Sequence, residues 1–115
     1  MLTYVRNPDD FKQLIEKSKT QPVIIFKHSS QCDVSGQAYD EFHRFMKSAK
    51  DVTGAVLFVI EFRDVSDEIE STLGIQHKSP QVILVRDGKA QWTASHWSIT
   101  AAALSQALYA ESPHQ

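Results

Sequence analysis

The chain has 115 residues, 42% of them hydrophobic and 23% charged, with a formal net charge of −2. That is the size and balance of one ordinary folded domain, not of a disordered chain. There is no basic stripe to suggest nucleic acid, and the longest apolar run, Ala55 to Ile60, is far too short to span a bilayer.

The N-terminus, MLTYVRNPDDF, lacks the apolar core of a signal peptide, so a cytoplasmic location is the expectation. Leu2 to Val5 reads as a short strand. Asn7-Pro8-Asp9-Asp10 opens a helix, with Asn as N-cap, Pro at the first helical position and acids in the first turn. Phe11, Leu14 and Ile15 follow at helical spacing until near Ser18, and Gln21-Pro22 breaks the pattern. Val23 to Lys27 is then a strand, apolar on consecutive positions, as expected where helices cover both faces of a sheet. The polar loop Lys27-His28-Ser29-Ser30-Gln31 leads to Cys32. After it Val34, Ala38, Phe42, Phe45 and Ala49, with Met46 beside them, make a helical stripe of about four turns. Asp40, Glu41, Arg44 and Lys47 form its polar face. Gly54 is read as closing the next loop, before a second apolar strand, Ala55 to Ile60.

Asp64 or Ser66 is the expected cap of a short helix with Val65, Ile69 and Leu73 inward and Gly74 as its stop. Ile75 to Lys78 is a loop. Ser79-Pro80 opens the strand Gln81 to Arg86, and Asp87-Gly88 predicts a hairpin. In its second arm, Lys89 to Ser95, Ala90, Trp92 and Ala94 alternate with polar residues. His96-Trp97-Ser98 is a connection. Thr100 is the N-cap of a last helix, with Ile99 and Leu104 as a hydrophobic staple. That helix runs to about Ala110, and Glu111 to Gln115 is expected to fray. The order (β)αβαβαββα requires right-handed parallel crossovers and a final antiparallel hairpin. The expectation is an α/β fold, a single domain over residues 1–115, with one mixed sheet and helices on both faces.

A buried strand that delivers the chain's one cysteine to the start of a helix is a chemical arrangement. The first helical turn has N–H groups without partners, and with the peptide dipoles they favour a thiolate, the nucleophilic form. The other reading is a buried cysteine acting as a small hydrophobe, against which the polar flanks argue. Lys27 and His28 are near Cys32 in sequence, while His77 and Lys78 come near only if the Pro80 loop abuts it. Cations there would favour the thiolate or hold substrate carboxylates; otherwise they are solvated loop charges. Ser35 could donate a hydrogen bond to a thiolate but cannot resolve a mixed disulfide, and it could equally be an ordinary helix serine. Pro80 is either a trans proline at a strand start or a cis one. With one cysteine no internal disulfide can form, so disulfide chemistry must be intermolecular. The five histidines, His28, His43, His77, His96 and His114, form no compact metal motif. His28 and Cys32 would supply two ligands where a site needs three or four. Neither a metal nor a bound cofactor is expected.

The element order, with a thiol at the start of the helix after the central strand, resembles the thioredoxin fold. Cys32-Asp33-Val34-Ser35 is a C-x-x-S version of that superfamily's C-x-x-C, and Ser79-Pro80 stands where it keeps a cis-proline against the cysteine. FKHSSQC, SPQVILVRDGKA and SHW-x-IT together resemble the monothiol bacilliredoxins, over nearly the whole chain. What this resemblance implies is a thiol-disulfide oxidoreductase that removes bacillithiol, a small cysteine-containing thiol bearing a malate group, from mixed disulfides. Its partners would be bacillithiolated client proteins, and bacillithiol its thiol co-substrate. Carried over by position, Cys32 would be the nucleophile, Pro80 the cis-proline, and Ser35 the residue where a dithiol relative keeps a resolving cysteine. Ser79, Pro80, Lys27, His28, His77 and Lys78 would then form the substrate-binding set. One departure is Asp33, which follows Cys32 where such motifs often have proline; its charge opposes thiolate formation. A binding module that keeps the fold without catalysis is the competing reading. A thiol peroxidase ranks last, because no Thr-x-x-Cys-like pattern surrounds Cys32.

Overall fold

The computed structural model describes residues 2–30 and 32–110; Gln31, His114 and the expected fraying of Glu111 to Gln115 lie outside them. The elements are β1 (Leu2–Tyr4), α1 (Pro8–Lys17), β2 (Val23–His28), α2 (Asp33–Ser48), β3 (Thr53–Phe58), α3 (Arg63–Leu73), β4 (Gln81–Arg86), β5 (Lys89–Ser95) and α4 (Ala101–Tyr109). The strands form one mixed sheet in the order β1-β3-β2-β4-β5. β2 lies at its centre, parallel to β3 and antiparallel to β4. Alternate residues of β2 feed two cores. Val23 and Ile25 pack with Phe11 and Leu14 of α1 and Val65 and Ile69 of α3. Ile24 and Phe26 pack with Phe42 and Phe45 of α2 and Leu104 and Leu108 of α4. Burial on both faces is why β2 is apolar at consecutive positions.

Local chemistry sets the element ends. Asn7 Oδ1 accepts from the Asp10 N–H at 2.8 Å, with Pro8 at the first helical position. Thr100 Oγ1 accepts from the Ala103 N–H at 3.0 Å, and Ile99 and Leu104 are both buried. Gly74 ends α3 at φ 69°, and Asp87 and Gly88 turn the hairpin at φ 52° and 73°.

Two expectations are corrected. Gly54 closes no loop; it lies inside β3, opposite Leu2 and Ile24. A Cβ there would stand 2.9 Å from Met46 Sδ and Phe42 Cζ, so the missing side chain lets α2 pack close to the sheet. Nor does Asp64 or Ser66 cap α3. The chain curls into it directly from β3, the Phe62 N–H donating to the Phe58 carbonyl and the Ser66 N–H to that of Phe62. Phe62 therefore takes the cap position, and Ser66 turns inward and is buried.

Candidate thiol site

Cys32 is the N-cap of α2, one residue before the first turn, with extended backbone (φ −123°, ψ 123°) and a half-buried side chain. Its N–H donates to the Ser29 carbonyl at 3.2 Å, and its own carbonyl accepts the first helical bond, from Gly36, at 3.1 Å. The Cys32 side chain makes no capping hydrogen bond, and no other described residue is seen to cap this end. The first-turn N–H groups are thus left for a sulfur anion or a substrate. Asp33, exposed, follows in the first turn.

Ser35 does not point its hydroxyl at the thiol. Its side chain is fully buried; Oγ lies 2.6 Å from His28 Nδ1 and accepts from the Ser29 N–H at 2.9 Å. A hydroxyl has one proton and two lone pairs. With one lone pair taken by Ser29, the arrangement is met by donating that proton to a neutral His28, which then carries its own proton on Nε2. Neutrality suits the surroundings. His28 stacks on Tyr39 with centroids 4.7 Å apart and packs against Phe26 and Phe58. Burial pushes its pKa down, against a smaller upward pull from Glu61. The expected substrate-holding cation at His28 is therefore a neutral ring that fixes the fourth residue of the motif.

Lys27 is corrected more sharply. It lies in β2, as the expected strand Val23 to Lys27 has it, opposite Leu57 and Gln81, but it is 0% exposed rather than a solvated charge beside the loop. It shares the face of Val23 and Ile25, under α3. Burial lowers its pKa to about 8, against the upward pull of Glu70 and Asp67. Nζ has no hydrogen-bond partner among the described residues. No substrate group can reach it.

His77 is half-buried in the loop before Pro80. Its N–H donates to Glu70 Oε2 at 2.7 Å, and Nδ1 lies 3.4 Å from Ser66 Oγ. Burial, helped by Lys27 and Arg63, holds its pKa below the usual histidine value, against Glu70 and Asp67. Lys78 is exposed, so its ammonium is available to an anion at the surface. The buried Gln81 ties this loop down, accepting from the Lys78 N–H at 3.4 Å and donating to the Gln76 carbonyl at 3.0 Å. The Ser79–Pro80 peptide bond is cis. Since Lys27 pairs with Gln81, Pro80 reaches the end of β2 from which the Cys32 loop departs. The Pro80 carbonyl accepts from the His96 N–H at 3.1 Å, joining the 3-10 turn His96–Ser98 to the site. Ser79 Oγ is buried and without a partner among the described residues.

Sequence reasoning missed Tyr39, Glu70 and the inward role of Gln81. Tyr39 carried a signal, lying one helical turn beyond Ser35 on the inward side of α2; Glu70 carried none, because it reads as an ordinary polar helix residue. A cleft of about 380 Å³ beside the motif, lined by Val34, Gln37, Arg44, His96 and Trp97 among others, was also unforeseen. Among the described residues, no group of three or more His, Cys, Asp or Glu side chains could hold a metal, and no helix is long and apolar enough to cross a membrane.

The arrangement offers one accessible sulfur at a helix end and no second group able to resolve a disulfide. A sequence model described as monothiol bacilliredoxin BrxC matches residues 3–104. Among solved structures, a chain described as a candidate oxidoreductase with a thioredoxin fold is similar at 34% identity and a TM-score of 0.84, covering 92% of each chain. Thioredoxin from Fasciola hepatica shares the fold at 15% identity and a TM-score of 0.75, over 92% of this chain and 95% of its own. Mitochondrial thioredoxin 3 from Saccharomyces cerevisiae does so at 20% identity and a TM-score of 0.72, over 93% and 92%.

Proposed function

The chain belongs to the monothiol bacilliredoxin family, and from that premise we propose that it reduces mixed disulfides between bacillithiol and client proteins. The observation that carries this reading is Cys32 as the uncapped N-cap of α2, with a buried, fully engaged serine where a second thiol would stand. The Cys32 thiolate attacks the bacillithiol sulfur of the mixed disulfide. A new S–S bond forms, the old one breaks, and the client leaves as a thiolate that takes up a proton from water. The first-turn N–H groups stabilise the attacking anion. Cys32 now carries bacillithiol. A second low-molecular-weight thiol attacks that adduct and leaves as a disulfide with bacillithiol, restoring Cys32. Lys78, at the surface, is placed to meet the malate carboxylates. Ser79 and Pro80 line the approach to the sulfur. Such exchange needs a compartment where small thiols are kept reduced, which fits a cytoplasmic location.

The test is one turnover with a bacillithiolated peptide, followed by intact mass measurement. The wild type should gain the mass of one bacillithiol on Cys32, and Cys32→Ser should gain none and release no peptide thiol. A wild type that never acquires the adduct, with Cys32 no more reactive than a free cysteine, would instead favour a binding module.

A further inference from the structure

Lys27 is a fully buried ammonium, and its Nζ has no hydrogen-bond partner among the described residues. Burying a charge without such partners is costly, so the position demands a compensating interaction. Two carboxylates of α3, Glu70 and Asp67, act on it through space. Glu70 is the nearer to function, because its Oε2 also accepts the His77 N–H at 2.7 Å. On the same face, Gln81, the register partner of Lys27, holds Gln76 and Lys78. The segment Gln76 to Lys78 is thus held by the buried Gln81 and the half-buried Glu70, and it leads straight into Ser79 and the cis Pro80.

We propose that Lys27 is a positioning residue for thiol exchange: its buried charge draws the Glu70 carboxylate inward, Glu70 fixes the His77 backbone, and the Ser79–Pro80 edge is thereby held in register with Cys32. This role in exchange rests on the reading of Cys32 as the reacting thiol. The mechanism is indirect. Lys27 touches neither the sulfur nor the substrate, and it acts through a carboxylate and one peptide group. Aligning an incoming disulfide requires a rigid edge beside the sulfur, whereas simple alkylation of the sulfur does not.

The charged groups acting on Lys27 are Glu70 and Asp67 from α3, with His77 from the loop beside it and Arg63 of α3 acting on His77. Carboxylates and histidines ordinarily titrate below pH 7 and guanidinium far above pH 9. A thiol ordinarily titrates inside that window, so a loss of order in the loop that persists in Cys32→Ser reports Lys27. The measurement is hydrogen–deuterium exchange of the His77 amide on the whole chain between pH 7 and pH 9.5, corrected for intrinsic exchange. In the wild type, protection of His77 should fall with a midpoint near 8, while the β4 amides of Val82 to Val85 stay protected. In Lys27→Met, protection should already be low at pH 7 and flat with pH. Glu70→Gln keeps an acceptor for the amide but loses the charge; it should abolish the pH dependence too, and it decides the matter if Lys27→Met does not fold. At pH 7, Lys27→Met should lower kcat/KM for a bacillithiolated peptide about tenfold, while alkylation of Cys32 by iodoacetamide stays within about twofold. Wild-type His77 protection that is independent of pH, or unchanged in both variants, would overturn the proposal. So would a loosened loop with unchanged kcat/KM. If the wild type does not reduce the peptide at all, the exchange reading fails, and the amide data still judge whether Lys27 holds the loop.

Discussion

His28 Nδ1 lies 2.6 Å from Ser35 Oγ, tying the last residue of the central strand to the fourth residue of the Cys32-Asp33-Val34-Ser35 motif. The hydroxyl that the sequence offers to the thiolate is thus used inside the protein. Ser35→Ala should therefore leave the rate of adduct formation on Cys32 near the wild-type value. It should lower stability by about 1–3 kcal/mol, because His28 Nδ1 and the Ser29 N–H both lose their partner. Stopped-flow kinetics and urea unfolding on the same preparations separate the two effects; a large loss of rate at unchanged stability would contradict this geometry.

Ser35→Cys places a thiol where a neutral imidazole can accept its proton. That thiol should attack the Cys32 adduct within the same molecule, at high effective concentration. After one turnover the variant should show an internal disulfide and free bacillithiol by intact mass, whereas the wild type retains the adduct.

Gly54→Ala adds a methyl group that would meet Met46 Sδ and Phe42 Cζ at 2.9 Å. Phe42 is fully buried and cannot swing away, although Met46 is flexible and half-buried. The expected cost is about 1–3 kcal/mol, as for other overpacked cores, read as a lower midpoint in denaturant with an unchanged slope. An unaltered midpoint would mean that α2 moves off the sheet without penalty.

Stability should rise with pH through the range in which Lys27 titrates. Its pKa falls from 10.5 to about 8 on folding. Between those values the unfolded chain holds a proton that the folded chain has released, so raising the pH favours the folded state. The destabilising effect is fully present below pH 8 and gone above about 10.5, with a total on the order of 2 kcal/mol once residual screening is allowed for. Lys27→Met, which removes the buried charge, should flatten this part of the curve. A wild-type melting temperature that falls steadily from pH 8 to 10 would contradict it.

The sequence made the architecture legible because its signals were local. Val23 to Phe26 and Val82 to Val85 are apolar at every position, which only strands covered on both faces require. Asn7-Pro8, Thr100 and Asp87-Gly88 act within a turn of themselves, and each is found in its expected role. Gly54 misled because glycine ordinarily marks a turn, and its actual reason, the closeness of Phe42 and Met46, comes from another element. Lys27 misled in the same way. A lysine at the end of an apolar strand reads as a charge open to solvent, yet strand register carries it inward, under the influence of Glu70, far along the chain. The placement of Cys32 could be read from its neighbours, but the engagement of Ser35 by His28 depends on how the loop between them folds back.

Under the exchange chemistry proposed above, a fourth motif residue that cannot form a disulfide also changes what the protein responds to. Oxidising a pair of thiols into a ring releases two molecules of small thiol, so the balance depends on the square of that thiol's concentration and hence on the size of the pool. Cys32 gains one sulfur partner and releases one small thiol when it meets a small disulfide, so the total amount cancels. Its occupancy then follows the ratio of oxidised to reduced small thiol and is unmoved by dilution of the whole pool. With one cysteine, any disulfide-bonded form of the protein is a conjugate and never an internal ring.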